Sequence, residues 1–453
     1  MAGPDDTIVA IATPSGRGGL GIVRISGNKT LPIAKSLTGK NLADKARVAH
    51  YCKIRSEDNR VIDEGIVIYF SQPGSYTGED VLEIYAHGSR VVLEVIVNRI
   101  LALGARRAAP GEFTERAFHN NKIDLVQAEA VADLIDATSA HAARSAIRSL
   151  EGEFSKRVNL LKDELIRIRS CIEAALDFPE EETDFLAGID IDKQLQECIA
   201  TLDGILVRAR QGAVLKEGIT VTILGRPNVG KSTLLNCLAE KDIAIVTEEA
   251  GTTRDLLEQD ILVDGVPLHI IDTAGLRQTT SKVEQEGIRR AQAAATKSDI
   301  ILMIVECGSP AGREVPELPE NISPDQKVII INNKIDLTGQ QPARLKSCEQ
   351  PEEIFLSAKT GEGLDLLIDC LKEIAGVHDL FEDVFMARQR HINALEGTKK
   401  SIIDTIEKHK AHKAAELLAE DIRQAQQRLN EITGDFVTDD LLDAIFSRFC
   451  IGK

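Results

Sequence analysis

One short segment, GRPNVGKS at residues 225–232, constrains the fold of this chain more than any other feature. It matches the pattern GxxxxGK[ST] and directly follows the apolar run ITVTIL. In this pattern the glycines let backbone N–H groups wrap phosphates at the start of a helix, whose dipole favours anions. Lys231 is expected to reach the β- and γ-phosphates, and Ser232 to ligate Mg²⁺. The segment therefore predicts a strand, loop and helix of an α/β domain that binds a nucleoside triphosphate.

Three further motifs follow apolar runs later in the chain: DTAG at residues 272–275, NKID at 333–336 and SAK at 357–359. The Asp336 carboxylate can accept from guanine N1–H and N2–H₂, a pair of donors that adenine lacks, so a site built on it rejects adenine. Together the motifs predict a GTPase. The predicted GTP-binding residues are Asn228, Val229, Gly230, Lys231, Ser232, Thr233, Thr247, Thr253, Asp272, Thr273, Ala274, Gly275, Asn333, Lys334, Asp336, Ser357, Ala358 and Lys359.

The residues around the motifs indicate how hydrolysis would proceed. Ras-like enzymes carry a Gln after DTAG that orients the attacking water, whereas this chain has Leu276, which cannot. The side-chain carbonyl of Asn228 is suited to a monovalent cation, and K⁺ there would supply the positive charge of an arginine finger. In GTTRD, at residues 251–255, Thr253 is the expected second protein ligand of Mg²⁺.

The periodicity of apolar residues changes along the chain and indicates several domains. Strand-like runs occupy residues 7–100, helical stripes follow from about residue 122, strands and helices alternate from about 218, and helices resume after 376. The predicted fold is multidomain, α+β and α/β. Its parts are an N-terminal α+β domain (1–120), an all-α helical domain from two chain segments (121–216 and 377–453), and a Ras-like, doubly wound α/β G domain (217–376) inserted in it.

Composition narrows the function classes. The chain has 453 residues, of which 43% are hydrophobic, and a formal net charge of −17. Proteins that coat nucleic acid non-specifically are usually basic, so we expect no DNA binding, and any RNA contact must come from a local patch. The absence of a long apolar run predicts no membrane span, and scattered single cysteines without a secretory leader favour a cytoplasmic protein.

Longer strings beyond the four motifs resemble one family from end to end, the MnmE (TrmE) tRNA modification GTPases. They are ATPSGRGGLGIVRISG, YTGEDVLEIYAHG, APGEFTERAFHNNKIDLVQAEAVADLIDA, the motifs GRPNVGKS, GTTRD, DTAGLR, NKID and SAK, and the terminal FCIGK. The resemblance implies a homodimer that forms a heterotetramer with the FAD-dependent protein MnmG (GidA). It also implies that this protein and MnmG together install a (carboxymethyl)aminomethyl group on carbon 5 of the wobble uridine of certain tRNAs.

The same resemblance assigns roles to individual residues. Dimerisation of G domains is implied to depend on K⁺, with Glu284 orienting water in place of the missing Gln. The implied K⁺ ligands are Asn228, Thr247, Glu249 and Thr252. The N-terminal domain is implied to bind a tetrahydrofolate one-carbon donor, in its 5-formyl or methylene form. The implied folate contacts are Arg24, Glu83, Lys122 and Lys453.

Cys450 has two interpretations that the sequence leaves open. The family's C-terminal Cys-x-Gly-Lys motif is implicated in the modification reaction, which makes this thiol a candidate catalytic residue beside Glu284 and Lys231. The other interpretation is a small apolar side chain next to Phe449 on a buried helix face. A reactive thiolate would need a depressed pKa, which a sequence cannot reveal.

Two further sequence patterns and one rival function have alternative interpretations. GRGGLG at residues 16–21 satisfies GxGxxG, but a strand-like run follows it where the dinucleotide fingerprint opens a helix, so we interpret it as a chance match. The basic run from Lys399 to Lys413 fits either a tRNA or partner contact or a solvated helix face. The rival function, an Era-like switch in ribosome assembly, would need an RNA-binding module such as a KH domain after the G domain.

Overall fold

The computed structural model describes residues 6–177, 190–241, 257–272, 295–296, 298–308, 326–347, 351–376, 384–412, 415–435 and 438–452. The chain divides into two compact units. The first unit comprises Met1–Ala132 and Gln426–Lys453, so it is built from both ends of the chain, and the second unit is Asp133–Ala425. Among the described residues, no helix has the length and apolarity required to cross a membrane.

The first unit contains a six-stranded sheet in the order β3-β4-β5-β2-β1-β6. Its strands are β1 (Ile8–Ile11), β2 (Gly18–Ser26), β3 (His50–Arg55), β4 (Val61–Phe70), β5 (Val81–Gly88) and β6 (Arg106–Arg107). Helices α1 (Thr30–Thr38), α2 (Arg90–Ala102) and α3 (Glu112–His119) accompany it. On β2, Val23 and Ile25 are fully buried, and Arg24 between them points to the opposite face because side chains alternate along a strand.

The GRGGLG run belongs to this sheet. Its last four residues open strand β2 and no helix follows them, which agrees with the interpretation of GxGxxG as a chance match. Gly88 on β5 allows this close approach, because a Cβ there would lie 2.4 Å from the carbonyl oxygen of Gly18.

Long amphipathic helices follow the sheet. They are α4 (Leu125–Ile135), α5 (Ala140–Leu150), α6 (Glu153–Asp177) and α7 (Ile191–Glu217). The apolar stripes predicted at three- and four-residue spacing are buried on α6 from Val158 to Ile172 and on α7 from Ile191 to Ala209. After the α/β region come α11 (Gln389–His412), α12 (Ala415–Thr433) and α13 (Asp439–Phe446).

The α/β region is a seven-stranded sheet in the order β12-β13-β11-β10-β7-β9-β8. Its strands are β7 (Ile219–Gly225), β8 (Leu257–Val263), β9 (Val266–Asp272), β10 (Ile300–Glu306), β11 (Lys327–Asn333), β12 (Ala343–Leu345) and β13 (Glu352–Phe355). Helices α8 (Lys231–Lys241), α9 (Ile335–Thr338) and α10 (Leu364–Ile374) join them. The five strands from β13 to β9 run parallel, as predicted for a doubly wound domain.

The central strand β10 explains this arrangement. Its first six residues, IILMIV, are all buried, because a parallel strand covered on both faces needs no polar alternation. Neighbouring strands expose their carboxyl ends at one edge, which is where open α/β sheets bind ligands.

The inserted region is also tied to the helices around it within the second unit. The carboxylate of Asp133, whose side chain is 5% exposed, accepts from Lys216 at 2.7 Å and from Arg388 at 2.9 Å. Lys216 lies just before the first strand of the α/β region, and Arg388 lies just after the region ends. One buried carboxylate thus holds both chain connections of the insertion.

Candidate functional site

The phosphate-binding loop lies between β7 and α8. Asn228 and Gly230 have φ values of 66° and 101°, in the left-handed region that Asn and Gly tolerate best. Gly230 is also required for space, since a Cβ there would lie 2.3 Å from Nδ2 of Asn333. Lys231 is 8% exposed, and its ammonium donates to the carbonyl oxygens of Gly225 at 2.6 Å and Arg226 at 2.9 Å. The cation is therefore held against the loop that is expected to wrap the phosphates.

The start of helix α8 completes this half of the site. Ser232 and Thr233 are exposed in its first turn, directly after the buried Lys231. The hydroxyl of Ser232 is the kind of hard oxygen donor that Mg²⁺ prefers. The backbone of Asp272 ends β9 and pairs with Ile223 of β7. The first turn of α8 and the end of β9 therefore follow the carboxyl ends of two neighbouring parallel strands, β7 and β9.

Asn333 joins three of the sequence motifs. Its side chain is buried, its Nδ2 donates to the carbonyl oxygen of Val229 at 2.8 Å, and its Oδ1 accepts from the backbone N–H of Ala358 at 2.9 Å. The amide thereby connects the phosphate loop to the SAK loop. A side chain with both a donor and an acceptor is required for this bridge, and a carboxylate or a methyl group cannot make it.

The predicted base-recognition residues belong to the NKID and SAK segments, which the Asn333 side chain joins. Asp336 is exposed, and its Oδ1 accepts a hydrogen bond of 2.7 Å from the hydroxyl of Ser357, which is fully buried. Lys334 has a left-handed backbone, with φ of 67°, and its ammonium lies 2.8 Å from Oε2 of Glu306. Lys359 is exposed at the end of the motif. The structure therefore places the Asp336 carboxylate on the segment that Asn333 joins to the phosphate loop.

Several predicted residues lie outside the described part of the chain. They are the potassium and magnesium ligands Thr247, Glu249, Thr252 and Thr253, the DTAG residues Thr273, Ala274 and Gly275, the proposed water-orienting Glu284, and the terminal Lys453.

A second candidate site lies in the first unit around Arg24, Glu83, Tyr76 and Phe113, and it is called the Arg24 pocket below. Arg24 on β2 and Glu83 on β5 are partners in the antiparallel register, and Nε and Nη2 of the guanidinium both lie 2.9 Å from Oε1 of the carboxylate. Tyr85 donates to the other carboxylate oxygen, Oε2, at 2.6 Å. This hydrogen bond, together with burial, raises the pKa of Tyr85 to about 12, so the phenol is neutral at physiological pH. Charge and hydrogen bonding are concentrated here on one sheet face.

Aromatic rings line this pocket. The guanidinium of Arg24 lies 5.7 Å from the ring centroids of both Tyr76 and Phe113, within range of a cation–π interaction. The Tyr76 hydroxyl lies 2.9 Å from that of Thr114. Lys122 contacts the same loop that carries Tyr76, because its ammonium donates to the carbonyl oxygen of Pro73 at 2.9 Å.

The C-terminal tail enters this pocket from the other end of the chain. Leu442, Ile445, Phe446 and Phe449 pack against Leu125 and Ala128. The chain then pairs with residues 110–111 through a bridge between Pro110 and Ile451. Nη1 of Arg24 donates to the carbonyl oxygen of Gly452 at 3.3 Å. The structure thus brings together Arg24, Glu83 and the tail, while the Cys450 side chain is exposed and its thiol is free.

The site residues predicted from the sequence do not include Tyr76, Tyr85, Phe113 or Glu306. Tyr85 had a detectable signal, because it lies two residues after Glu83 and so shares its face of the strand. Tyr76 and Phe113 had none, since only the fold brings them beside Arg24. In the basic run, Lys399 pairs with Asp203 at 2.6 Å and Lys408 with Asp421 at 2.8 Å, which favours a helix face that is paired within the chain.

Comparisons with known proteins cover almost the whole chain. Residues 7–122 match the family described as GTP-binding protein TrmE N-terminus, and residues 125–450 match the MnmE helical domain. The relatives named tRNA modification GTPase MnmE from Legionella pneumophila, Pseudomonas fluorescens and Coxiella burnetii are each 51% identical, over 99–100% of this chain and 99–100% of theirs. A crystal structure of an Aquifex aeolicus Era variant bound to GDP and AlF₄⁻ has a TM-score of 0.26 and 23% identity, over 40% of this chain and 66% of that chain.

Proposed function

The chain belongs to the MnmE (TrmE) family of tRNA modification GTPases and is a GTP hydrolase, and on that premise we propose that it uses GTP hydrolysis to modify tRNA. The modification is a (carboxymethyl)aminomethyl group on carbon 5 of the wobble uridine. A tetrahydrofolate derivative supplies the one-carbon unit, and the FAD-dependent protein MnmG is the partner. The bridge that Asn333 makes between the phosphate loop and the SAK loop carries the GTPase half of this proposal.

The base preference of the site is assigned to Asp336. Its carboxylate is exposed beside the phosphate loop and is oriented by the buried hydroxyl of Ser357. Asp336→Asn replaces an acceptor by a donor, so GTP binding is expected to weaken while xanthosine triphosphate, which offers a carbonyl acceptor there, is favoured. Nucleotide titrations of this variant test the assignment, with Asp365→Asn, an exposed acid on α10, as the matched control. Unchanged GTP affinity in Asp336→Asn would refute the assignment.

Metal ions are assigned to the same site. Ser232 and Thr253 hold Mg²⁺, which would neutralise charge that develops on the phosphates. Asn228, Thr247, Glu249 and Thr252 hold K⁺, which would supply the positive charge of an arginine finger. Asn228 is exposed with a left-handed backbone on the loop itself, a position from which its carbonyl can face the phosphate side. Glu284 orients the attacking water in place of the Gln that this chain lacks after DTAG.

Exchange of K⁺ for Na⁺ at constant ionic strength tests the potassium assignment. Turnover is expected to fall steeply in Na⁺, and equal rates in both salts would refute the assignment. Glu284→Ala is expected to keep nucleotide affinity and lose turnover, the pattern of an interaction made mainly in the transition state.

The Arg24 pocket is proposed as the folate site. A carboxylate such as Glu83 can pair with the amino and ring-nitrogen edge of a pterin, and Lys122 and Lys453 suit the anionic glutamate tail. The rings of Tyr76 and Phe113 provide flat apolar surface on the same face as the Arg24–Glu83 pair. Titration with 5-formyltetrahydrofolate, monitored by calorimetry, tests this site, and wild-type affinity in Glu83→Gln would refute it.

Assembly and the role of Cys450 complete the proposal. The active species is a homodimer that joins MnmG in a heterotetramer and acts on tRNA in the cytoplasm, and light scattering of the mixed purified proteins tests its composition.

The exposed thiol of Cys450 at the end of the docked tail acts in the modification reaction. Cys450→Ser is expected to retain GTP hydrolysis and lose the modified wobble nucleoside, measured by mass spectrometry of tRNA. Normal modification in this variant would assign Cys450 a structural role.

A further inference from the structure

An acidic residue outside the four nucleotide motifs contacts one of them. Glu306 is the last residue of β10, and its Oε2 lies 2.8 Å from the ammonium of Lys334 in NKID. The two strands are in register at this point, since Glu306 is paired with Asn333, and the N–H of Cys307 donates to the carbonyl oxygen of Asn333 at 2.8 Å. The end of β10 is therefore fixed to the end of β11 by backbone contacts, and Glu306 extends that connection to a side chain.

The backbone at Lys334 makes this contact informative. Its φ of 67° is in the left-handed region, which is unfavourable for a residue with a Cβ. Such a conformation persists where the surrounding structure holds it. Here the preceding Asn333 is locked by its bridge to Val229 and Ala358, and the following Asp336 is bound to Ser357. Lys334 thus lies between two segments that hydrogen bonds hold in place, and Glu306 binds the far end of its side chain.

A lysine side chain that is free to rotate loses rotamer entropy when it becomes ordered on a ligand. An ion pair that already orders the ammonium removes part of that cost from nucleotide binding. We propose that Glu306 is a positioning residue of the nucleotide site, which holds the ammonium of Lys334 in place before guanine nucleotide arrives. The inference rests on the proposed guanine site around Asp336.

Glu306 acts in this account through Lys334 alone, and the pair is partly exposed, with 39% and 27% of the two side chains accessible. Partial exposure limits the strength of the pair and makes it sensitive to salt. The expected effect of Glu306→Gln is therefore moderate: a rise in the dissociation constants of both GDP and GTP by about three- to tenfold, with kcat at saturating GTP unchanged. Glu306→Asp keeps the charge on a shorter side chain, so its dissociation constants are expected to lie between those of wild type and Glu306→Gln.

The decisive experiment is a double-mutant cycle on the full chain with Lys334→Met, measured by fluorescence titration with labelled GDP and by steady-state GTP hydrolysis. In the Lys334→Met background Glu306→Gln is expected to have no further effect. The difference between Glu306→Gln and wild type is also expected to shrink between roughly 0.1 and 1 M salt, as the Debye length falls from about 10 to 3 Å. The matched control is Glu373→Gln on α10, which removes ion pairs of Glu373 with Arg344 and Lys346. It is expected to leave the dissociation constants of GDP and GTP unchanged.

Three results would overturn the inference: unchanged affinity in Glu306→Gln, tighter binding in that variant, which would mean that Glu306 competes with nucleotide for the cation, or additive effects in the double mutant. Failure of the proposed guanine site is distinguishable from these. It would appear as unchanged base preference in Asp336→Asn, whereas a shifted preference there with wild-type affinity in Glu306→Gln would remove only the role of Glu306.

Discussion

The nucleotide site and the Arg24 pocket are assembled in opposite ways. Each nucleotide motif is a short continuous segment, and the strands that lead into the motifs, β7, β9, β11 and β13, run parallel in one sheet. The Arg24 pocket takes single residues from two strands, a loop and a helix, and one of its contacts joins residues 428 positions apart. The first site is therefore encoded locally and placed by sheet topology, whereas the second exists only when both ends of the chain have packed together.

The two regions are also stabilised by different interactions. The nucleotide motifs are joined by hydrogen bonds between an amide side chain and backbone groups, as at Asn333. The tail reaches Arg24 because four apolar residues dock the last helix, which fixes the path of a terminus that would otherwise fray. A variant that perturbs one region should therefore leave the other intact, and the following predictions test that independence.

The largest expected effect is on GTP turnover in Lys231→Ala. The buried ammonium is held on the carbonyl oxygens of Gly225 and Arg226, where it can stabilise charge on the phosphates. Loss of one such group is expected to reduce turnover roughly 10²- to 10³-fold. Binding of 5-formyltetrahydrofolate, measured on the same sample, is expected to match wild type. Loss of both activities would show that the two regions are not independent.

Arg24→Ala tests the reverse case. It leaves the Glu83 carboxylate, 14% exposed, without its guanidinium partner and removes the cation that lies over Tyr76 and Phe113. Removing one member of a buried charge pair costs about 2–5 kcal/mol at an interface, so folate affinity is expected to fall at least tenfold. GTP turnover is expected to stay within about twofold of wild type. Arg24→Lys, which keeps the charge but not the planar fork, should recover only part of the affinity.

A smaller effect is expected when the tail is displaced by a single methyl group. Gly452 has φ of 99°, and a Cβ there would lie 2.5 Å from the carbonyl oxygen of Ile11. Gly452→Ala is expected to weaken folate binding several-fold without changing GTP turnover. Gly39→Ala is the control, because Gly39 also has a positive φ, 72°, but has open space around its Cβ position. Equal folate affinity in the two variants would show that the path of the tail does not shape the pocket.

Deleting residues 451–453 extends the same test. The deletion removes the carbonyl of Gly452 that accepts from Arg24, together with the terminal lysine. Weaker binding of the reduced folate is expected, with GTP hydrolysis near wild type. Full folate affinity in the truncated chain would contradict a role for the tail in the pocket.

The comparison also explains which parts the sequence could predict. The strands from β7 to β11 and β13 were predicted because each has an apolar run, and those of β7, β9, β11 and β13 also lead into a motif, whereas the edge strand β12 has three residues and no such pattern. Helix α2 was not predicted within the strand-like N-terminal region, since RVVLEVIVNRILA is rich in residues that favour strands. Its buried residues Leu93, Ile96, Val97 and Ile100 nevertheless follow helical spacing, and packing against the sheet decides the outcome.

The two sites also differ in how far local sequence signals predict their residues. Asn333, Asp336 and Ser357 were predicted from motifs, and in the structure Ser357 donates to Asp336 while the neighbouring Ala358 donates to Asn333. Arg24 and Glu83 were identified only through resemblance, because an isolated charged residue in an alternating strand carries no local signal. The domain boundaries and the roles of individual site residues remain predictions that the experiments above address.

Acid pH offers a milder test, and the tyrosines provide its measurement. All four tyrosines lie in the first unit, and the chain has no tryptophan, so intrinsic fluorescence reports on that unit alone. Near the pocket, burial tends to raise the pKa of Glu112, but hydrogen bonds from Arg106, Arg116 and the N–H of Ala109 outweigh burial and hold the pKa below its ordinary value of 4.5.

The lowered pKa of Glu112 determines how the stability of the first unit changes with pH. A carboxylate whose pKa is lower in the folded state stabilises the fold fully above its unfolded pKa, and that stabilisation is lost as pH falls through the folded value. The unfolding midpoint of the first unit, followed by tyrosine fluorescence, is therefore expected to be insensitive to Glu112 between pH 7 and 5 and to fall below about pH 4.5, by about 2–4 °C for each kcal/mol lost. Glu112→Gln is expected to lower the midpoint at pH 7 and to flatten this acid dependence. An equally steep dependence in Glu112→Gln would assign the acid sensitivity to other carboxylates, of which Asp6, paired with the same two arginines, is the next to replace.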